Sequence, residues 1–205
     1  MMTLKVKTFV MPPITNNNYV IIDTDSHEAV LIDCSHATDE IMAYIKQQKA
    51  NLKYILLTHA HFDHVLGVDY FQKKYHVPVY CSQKDESLLK QINDYMKCMK
   101  LSPVKEPQMD GYIEQKELKI GRYPIQVIQT PGHTNGSVCY FIKAMLFSGD
   151  TLFKESYGRT DFPGGDEHAM QKSLHLLFKT LPDDVAVYPG HGDSTTIKAE
   201  RCFYG

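Results

Sequence analysis

The chain has 205 residues, of which 43% are hydrophobic and 22% are charged, and its formal net charge at pH 7 is −2. These values predict one globular domain, residues 1–205, with enough apolar residues for a sizeable core. Nucleic-acid binding is not expected, because such a partner requires a basic surface. A membrane protein is not expected either, since no apolar run approaches the roughly 20 residues that span a bilayer.

The cysteines indicate the cellular compartment. There are five, an odd number, and none forms a C-x-x-C pair. They are therefore expected to be reduced thiols in a cytoplasmic protein. The first seven residues contain no apolar segment of the kind found in signal peptides, which agrees with this prediction.

Taken in chain order, apolar runs of strand length alternate with segments of helical period. The predicted strands are 4–10, 19–23, 29–33, 53–57, 78–81, 117–120, 125–130, 138–142, 145–148 and 185–188. The predicted helices are 38–48, 65–75, 83–96 and one that begins after an N-cap at Asp166. Residues 11–18 are expected to be a loop. Residues 100–112 are expected to be a surface excursion that either borders a site or merely connects two elements. The predicted class is mixed α/β, because strands and helices are interspersed.

One segment concentrates metal-capable side chains. Directly after the apolar run 54–57, the sequence T-H-A-H-F-D-H places His59, His61, Asp63 and His64 within six residues. On a tight loop that leaves a strand, such side chains can point in different directions around an ion. Imidazole and carboxylate together form the nitrogen and oxygen set that zinc and iron accept. A His-rich surface loop is the alternative, but the pattern is specific enough to favour a metal site.

Three later strand ends each carry one further metal-capable residue. His133, Asp150 and His191 follow the strands predicted before them by three residues or fewer. In sheet proteins, sites gather at the carboxyl ends of strands. A glycine precedes each of the three residues and permits backbone angles that turn a side chain back towards a site.

The number of candidate ligands bears on the number of ions. Seven ligands are too many for one tetrahedral ion and favour two. Two ions that share a carboxylate and a water form a hydrolytic site, because the shared water loses a proton near neutral pH. The other five histidines lack a strand-end context, and His168 and His175 are expected on the surface of a helix.

The motifs and their order resemble the metallo-β-lactamase superfamily. H-x-H-x-D-H is followed by T-P-G-H-T-x-G-S, by S-G-D and by Y-P-G-H-G. Within that superfamily, the segment G-R-T-D-F-P-G-G-D is similar to glyoxalase-II-like, or hydroxyacylglutathione hydrolase-like, enzymes. The resemblance implies an αββα four-layer sandwich with the site at one edge of its two sheets. It also implies two metal sites: one held by His59, His61 and His133, the other by Asp63, His64 and His191, with Asp150 as the bridge.

Four acidic and basic residues receive roles from the same resemblance or from their chemistry. Asp63 and Asp150 would be the carboxylates that take part in catalysis. Asp33, at the end of the strand before the first helix, resembles an acid that braces the His loop from behind. Arg159 would either grip a substrate carboxylate with its planar fork or form a salt bridge to Asp161 or Asp166 that orders the loop.

The ligand pattern predicts a dinuclear metal-dependent hydrolase, and the resemblance implies small-molecule thioesters such as S-lactoylglutathione as substrates, cleaved by attack of a metal-bridging hydroxide. Its cofactors would be two divalent ions, zinc in the first place and otherwise iron or manganese. The leaving thiol departs readily as thiolate, so no strong general acid is required. The oligomeric state stays open.

Other branches of the superfamily differ in identifiable ways. Its β-lactamases are usually secreted and often carry Cys at the position of Asp150. Glyoxalase II proper has a helical C-terminal domain that this sequence lacks, which leaves glutathione specificity open. A mononuclear iron persulfide dioxygenase shares the H-x-H-x-D-H and G-R-T-D-F segments and is one alternative. A metal-loaded binding or sensing protein without turnover is the other.

Overall fold

The computed structural model of the protein describes residues 4–204. Residues 1–3, part of the stretch behind the signal-peptide prediction, lie outside this range. The chain forms two compact units, the first ending at Pro124 and the second beginning at Ile125, and each has its own main sheet. Within the described range, no helix combines the length and the apolar character that crossing a bilayer demands.

Strands and helices are interspersed in both units, as the α/β prediction requires. The strands are β1 Leu4–Met11, β2 Asn16–Asp23, β3 Glu28–Ile32, β4 Asn51–Leu56, β5 Val79–Cys81, β6 Gly111–Tyr112, β7 Lys119–Ile120, β8 Tyr123–Pro124, β9 Gln126–Gln129, β10 Val138–Ile142, β11 Met145–Gly149, β12 Ala186–Pro189 and β13 Thr195–Thr196. The α-helices are α1 Glu40–Gln47, α2 Phe62–Val65, α3 Val68–Tyr75, α4 Glu86–Lys90, α5 Ile92–Cys98, α6 Glu167–Thr180 and α7 Ile197–Tyr204. Single 3₁₀ turns cover Gln83–Asp85 and Ile113–Gln115.

The first unit is organised around a six-stranded sheet in the order β1-β2-β3-β4-β5-β6. The pairs from β1 to β3 are antiparallel and those from β3 to β6 are parallel. Every residue of β2 is buried, which explains its uninterrupted apolar run from Tyr19 to Ile22. The parallel pair β3 and β4 brings two strand ends side by side, and the Asp33 N–H donates to the Leu56 carbonyl at 3.0 Å.

The second unit is organised around a five-stranded sheet in the order β13-β12-β11-β10-β9. Only β11 and β12 pair in parallel within it, so their carboxyl ends also lie side by side. Helix α6 buries the apolar stripe of Met170, Leu174 and Leu177 in this unit's core. The Asp166 side chain accepts the Ala169 N–H at 2.9 Å, which confirms the predicted N-cap.

Two predictions in the first unit are wrong in their boundaries. Asn16–Asn18 belong to β2 rather than to a loop. Asparagine disfavours strands, but these three are buried and Asn18 donates to Ser35 Oγ at 2.6 Å. The predicted helix 83–96 is divided into a 3₁₀ turn, α4 and α5, although Ser82 does cap its start by accepting the Lys84 N–H.

Two further predictions are wrong near the ligand motifs. The segment after His61 is not all loop, because α2 begins at Phe62 and carries Asp63 and His64 on one helical turn. The strand before His191 is not the last, since β13 and α7 follow it. A two-residue strand is too short to show an alternating pattern in the sequence.

Candidate metal centre

The first unit gathers four of the predicted ligands beyond the end of β4. The His59 and His64 rings lie 4.0 Å apart between centroids, and the His59 and His61 rings lie 4.9 Å apart. His64 Nε2 is 3.6 Å from Asp63 Oδ2. All four side chains are buried, and His64 is completely so. The helical turn of α2 brings Asp63 and His64 to this cluster, while His61, in extended backbone, and His59 precede that helix.

Asp33 forms hydrogen bonds with His64 and with Thr58, the residue before His59. The resemblance assigns it this supporting role. Its Oδ2 is 2.8 Å from His64 Nδ1, and its Oδ1 accepts the Thr58 N–H at 2.8 Å. An ionised carboxylate only accepts hydrogen bonds, so His64 Nδ1 must carry the proton. The lone pair of His64 is therefore on Nε2, the nitrogen that faces Asp63. Asp33 itself has a φ of 61°, a left-handed conformation that Asp tolerates better than most residues.

Thr58 links Asp33 to the tautomer of His59. Its hydroxyl donates to Asp33 Oδ2 at 2.9 Å, and the same oxygen, Oγ1, is 3.2 Å from His59 Nδ1. Because the hydroxyl proton is used on Asp33, Thr58 Oγ1 accepts from Nδ1–H of His59. The lone pair of His59 is then on Nε2 as well, which is the tautomer that a metal ligand requires.

Three further residues at this cluster are not predicted by sequence analysis. Asp85, which is buried, accepts the N–H of Ala60, the residue between the first two histidines, at 3.0 Å. Asn16 Nδ2 lies 2.8 Å from His64 Nε2. Tyr95 on α5 places its ring 5.7 Å from that of His61, and burial raises the pKa of its hydroxyl. None of the three follows a motif, and each is far from the cluster in sequence.

The second unit gathers the other three predicted ligands beyond β9, β11 and β12. One carboxylate oxygen, Asp150 Oδ2, lies 3.5 Å from His133 Nε2 and 3.7 Å from His191 Nε2. Asp150 is 9% exposed and His133 is 3% exposed, whereas the His191 side chain is 24% exposed. The parallel pairing of β11 with β12 explains why Asp150 and His191 leave the sheet at the same edge.

A backbone carbonyl orients His133. Its Nδ1 is 2.7 Å from the carbonyl oxygen of Arg159, and a carbonyl can only accept, so Nδ1 carries the proton. The lone pair on Nε2 then faces Asp150. The intervening loop is closed by the Gly158 N–H, which donates to the Asp150 carbonyl at 3.0 Å.

Two of the three glycines that precede predicted ligands adopt a positive φ. Gly132 has a φ of 152° and Gly149 a φ of 49°, conformations that other residues rarely adopt. They let the chain turn immediately before His133 and Asp150. The prediction is wrong for Gly190, whose φ is not positive.

The Arg159 side chain forms a salt bridge within its own loop. Its Nε and Nη2 each donate to Asp161 at 2.7 Å, and its guanidinium lies 3.8 Å from the centroid of the Phe162 ring. The pKa of Asp161 is lowered to about 2, chiefly by this hydrogen bonding to Arg159. The salt-bridge alternative for Arg159 is thus the arrangement that the structure shows, with Asp161 rather than Asp166 as the partner.

The remaining histidines of interest lie apart from both clusters. His168 and His175 are exposed on α6, where the sequence places them.

The donor sets of both clusters consist of imidazole nitrogens and carboxylate oxygens without a cysteine thiolate. Such sets suit zinc, iron or manganese ions. The hydrogen bonds to Asp33, Thr58 and the Arg159 carbonyl leave the lone pair on Nε2 in all three histidines that donate them, as a metal ligand requires.

Comparisons with curated proteins find relatives along nearly the whole chain. The probable metallo-hydrolase YqgX of Bacillus subtilis (strain 168) is 35% identical over 194 residues, covering 92% of this chain and 90% of the relative. The probable polyketide biosynthesis zinc-dependent hydrolase PksB of the same organism is 33% identical over 178 residues, covering 86% of this chain and 73% of the relative. Hydroxyacylglutathione hydrolase GloC of Haemophilus influenzae is 31% identical over 196 residues, covering 92% of each chain.

Solved structures show the same fold. The crystal structure of the BLEG-1 B3 metallo-β-lactamase matches with a TM-score of 0.87 and 35% identity over 97% of both chains. The structure of TTHA1623 in a di-iron-bound form matches with a TM-score of 0.84 and 32% identity over 96% of this chain and 97% of the other. These matches confirm the predicted fold class, an α/β fold of metallo-β-lactamase type.

A family model gives the assignment that these relatives suggest. The model of the metallo-β-lactamase superfamily matches residues 12–191, a range that contains all seven predicted ligands. The matched range, the sequence identities above 30% and the order of the motifs all indicate the same superfamily. The chain therefore belongs to the metallo-β-lactamase superfamily of metallo-hydrolases.

Proposed function

We propose that this protein is a dinuclear metal-dependent hydrolase of small-molecule thioesters such as S-lactoylglutathione. One observation carries the metal-binding part of the proposal: Asp150 Oδ2 faces two imidazole Nε2 atoms, at 3.5 Å from His133 and 3.7 Å from His191. A carboxylate oxygen with imidazoles on two sides suits metal binding and can bridge two ions. Two ions rather than one are proposed because the seven predicted ligands are more than one tetrahedral ion accepts.

The proposed ligand sets follow the family motifs. One ion would be held by His59, His61 and His133, the other by Asp63, His64 and His191, with Asp150 shared. Residues 1–205 are proposed to act as one hydrolase domain, because a single family model spans both units. When bound, two divalent ions supply a Lewis acid for the substrate carbonyl and lower the pKa of water enough to provide a nucleophile near neutral pH.

The chain's own residues prepare the ligands for this task. Asp33 keeps the proton of His64 on Nδ1, and the Arg159 carbonyl does the same for His133. Outer hydrogen bonds of this kind fix the ring orientation and raise the basicity of the coordinating nitrogen. No general acid is needed for a thioester, since the thiol product departs as thiolate.

The relatives support both the substrate class and the metals. GloC is a hydroxyacylglutathione hydrolase by name, PksB is a zinc-dependent hydrolase by name, and TTHA1623 has been crystallised with two irons. Zinc is the proposed resident ion, and iron or manganese are the alternatives. The cytoplasmic location remains a prediction from the cysteine pattern.

The test combines metal analysis with anaerobic turnover. Protein purified without added metal is expected to hold close to two ions per chain and to cleave S-lactoylglutathione without oxygen, at a rate that rises through neutral pH. Full activity at one ion per chain would refute the dinuclear proposal. Oxygen uptake with glutathione persulfide and iron, without anaerobic thioester cleavage, would establish the dioxygenase alternative instead.

The similarity to BLEG-1 favours a second candidate, β-lactam hydrolysis. The two chains share 35% identity over 97% of their lengths. A chromogenic cephalosporin assayed beside S-lactoylglutathione separates the candidates. A kcat/KM for the thioester at least 100-fold higher is expected if thioesters are the substrates, and the reverse order would favour the β-lactam.

A further inference from the structure

The C-terminal helix α7 carries a buried carboxylate that has no place in the ligand set. Glu200 is 1% exposed. Its Oε2 accepts the Glu155 N–H at 2.8 Å and its Oε1 accepts the Thr195 hydroxyl at 2.6 Å. Burying a carboxylate is costly unless hydrogen bonds compensate it, and these two bonds do so. Glu200 is thus committed to both donors.

The two donors belong to the segments that follow two predicted ligands. Glu155 lies five residues beyond Asp150 and adopts a φ of 59°, a left-handed conformation that costs free energy for a glutamate. The turn around it is closed by the Phe153 N–H, which donates to the Ser156 carbonyl at 2.8 Å. Glu200 supplies the acceptor that this backbone N–H needs in that conformation.

Thr195 lies four residues beyond His191, in β13. It pairs there with Val187 of β12, the strand that leads into His191. The segment between β12 and β13 is therefore a short loop with His191 near its start. A hydrogen bond from Thr195 to Glu200 fixes the far end of this loop to α7.

We propose that Glu200 is a positioning residue that holds the Asp150 and His191 segments in register through one carboxylate. Each oxygen secures one segment, so the two segments cannot shift independently. Its relevance to metal binding rests on the proposed function. Groups that hydrogen-bond directly to metal ligands typically contribute about 10–100-fold to metal affinity, and Glu200 acts through the segments beyond two such ligands, so the lower end, about tenfold, is the expected effect.

Three variants separate this role from general stabilisation. Glu200→Leu removes both acceptors. Glu200→Gln keeps both hydrogen bonds, one of them with its direction reversed, because the amide oxygen can accept from Glu155 and the amide N–H can donate to the Thr195 oxygen. Arg201→Met is the matched control: the next residue of the same helix donates to the Phe178 and Leu181 carbonyls at 2.6 and 2.8 Å and contacts neither segment.

Two measurements are made on each full-length variant. Hydrogen exchange of the Glu155 amide in metal-free protein reports the loop contact without any metal. Competition with a chromophoric chelator gives the Zn²⁺ affinity. Glu200→Leu is expected to speed exchange at Glu155 at least tenfold and to weaken Zn²⁺ binding about tenfold. Glu200→Gln and Arg201→Met are expected to stay within threefold of wild type in both.

The outcomes are distinguishable. Unchanged exchange and affinity in Glu200→Leu would overturn the proposal, and so would an equal loss in Arg201→Met, which would assign the effect to helix stability. If the wild-type protein binds no pair of ions, the proposed function fails, while exchange at Glu155 still decides whether Glu200 holds this segment in place. If Glu200→Leu does not fold, Thr195→Val removes one donor, and wild-type Zn²⁺ affinity in that variant would refute the role.

Discussion

Replacing Asp33 by asparagine tests the idea that an outer carboxylate sets the tautomer of His64. The substitution keeps the size of the side chain, and asparagine tolerates the φ of 61° that this position requires. The amide oxygen can still accept the Thr58 N–H. Its NH₂ group then replaces Oδ2 and faces His64 Nδ1–H across 2.8 Å, so that two donors meet.

The magnitude follows from the loss of this one contact. A hydrogen bond to a charged group contributes about 1.5–3 kcal/mol, so the free energy of unfolding of metal-free protein should fall by that amount. His64 can relieve the clash by moving its proton to Nε2, which removes its lone pair from the ligand position. Metal affinity should therefore also fall, by about 10–100-fold. Urea unfolding measures the first effect and chelator competition the second.

Asp23→Asn is the matched control, because Asp23 is also buried in the first unit and accepts hydrogen bonds, from Ser26 at 2.8 Å and the Asp25 N–H at 3.2 Å. It contacts no predicted ligand. A similar loss of stability with unchanged metal affinity is expected there. The tautomer argument would be refuted if Asp33→Asn lost stability but bound Zn²⁺ as tightly as the wild type.

The remaining predictions concern single side chains. Asp150→Ala should lose most activity and at least one ion, whereas His168→Ala on the exposed face of α6 should lose neither; elemental analysis and thioester turnover report both, and equal effects would show that the ligands are wrongly assigned. Arg159→Ala should raise KM more for anionic than for neutral thioesters if its guanidinium leaves its salt bridge to bind substrate, while unchanged selectivity would leave it a loop-ordering role. Only Cys98 and Cys202 should react with a thiol reagent in native protein, since burial raises the pKa of the other three thiols; mass spectrometry after labelling would contradict this if it found a third modified site before denaturation.

The sequence predicts the parts of the site that depend on side-chain identity at strand ends. His133 and Asp150 each follow an apolar run and a glycine, and both glycines adopt positive φ. The N-cap Asp166 is equally visible, because a capping side chain and the amphipathic helix after it are local features. Such features can be predicted from the sequence because they depend only on residues that are close together in the chain.

The parts that sequence analysis misses depend on contacts between distant residues. Asn16 reaches His64 across 48 positions, and Asp85 reaches Ala60 across 25. Neither position has a pattern that distinguishes it from an ordinary polar residue. Sequence analysis misses the turn of α2 inside the His motif for a different reason: four residues are too few to show helical periodicity.

Each unit orients one predicted ligand histidine through a hydrogen bond from its Nδ1–H, but the acceptor is a side chain in the first unit and a backbone carbonyl in the second. In the first, a carboxylate of Asp33 accepts Nδ1–H of His64; in the second, a backbone carbonyl accepts Nδ1–H of His133. The carboxylate is encoded directly, so a single substitution removes it. The carbonyl belongs to Arg159 but does not depend on its side chain, so substitutions at that position leave the hydrogen bond in place. What maintains it is the path of the backbone, and Gly158 permits that path: a Cβ there would collide with the Asp150 carbonyl and come within 3.0 Å of His133 Nδ1. The glycine in G-R-T-D-F therefore bears on the orientation of His133 more directly than the arginine beside it.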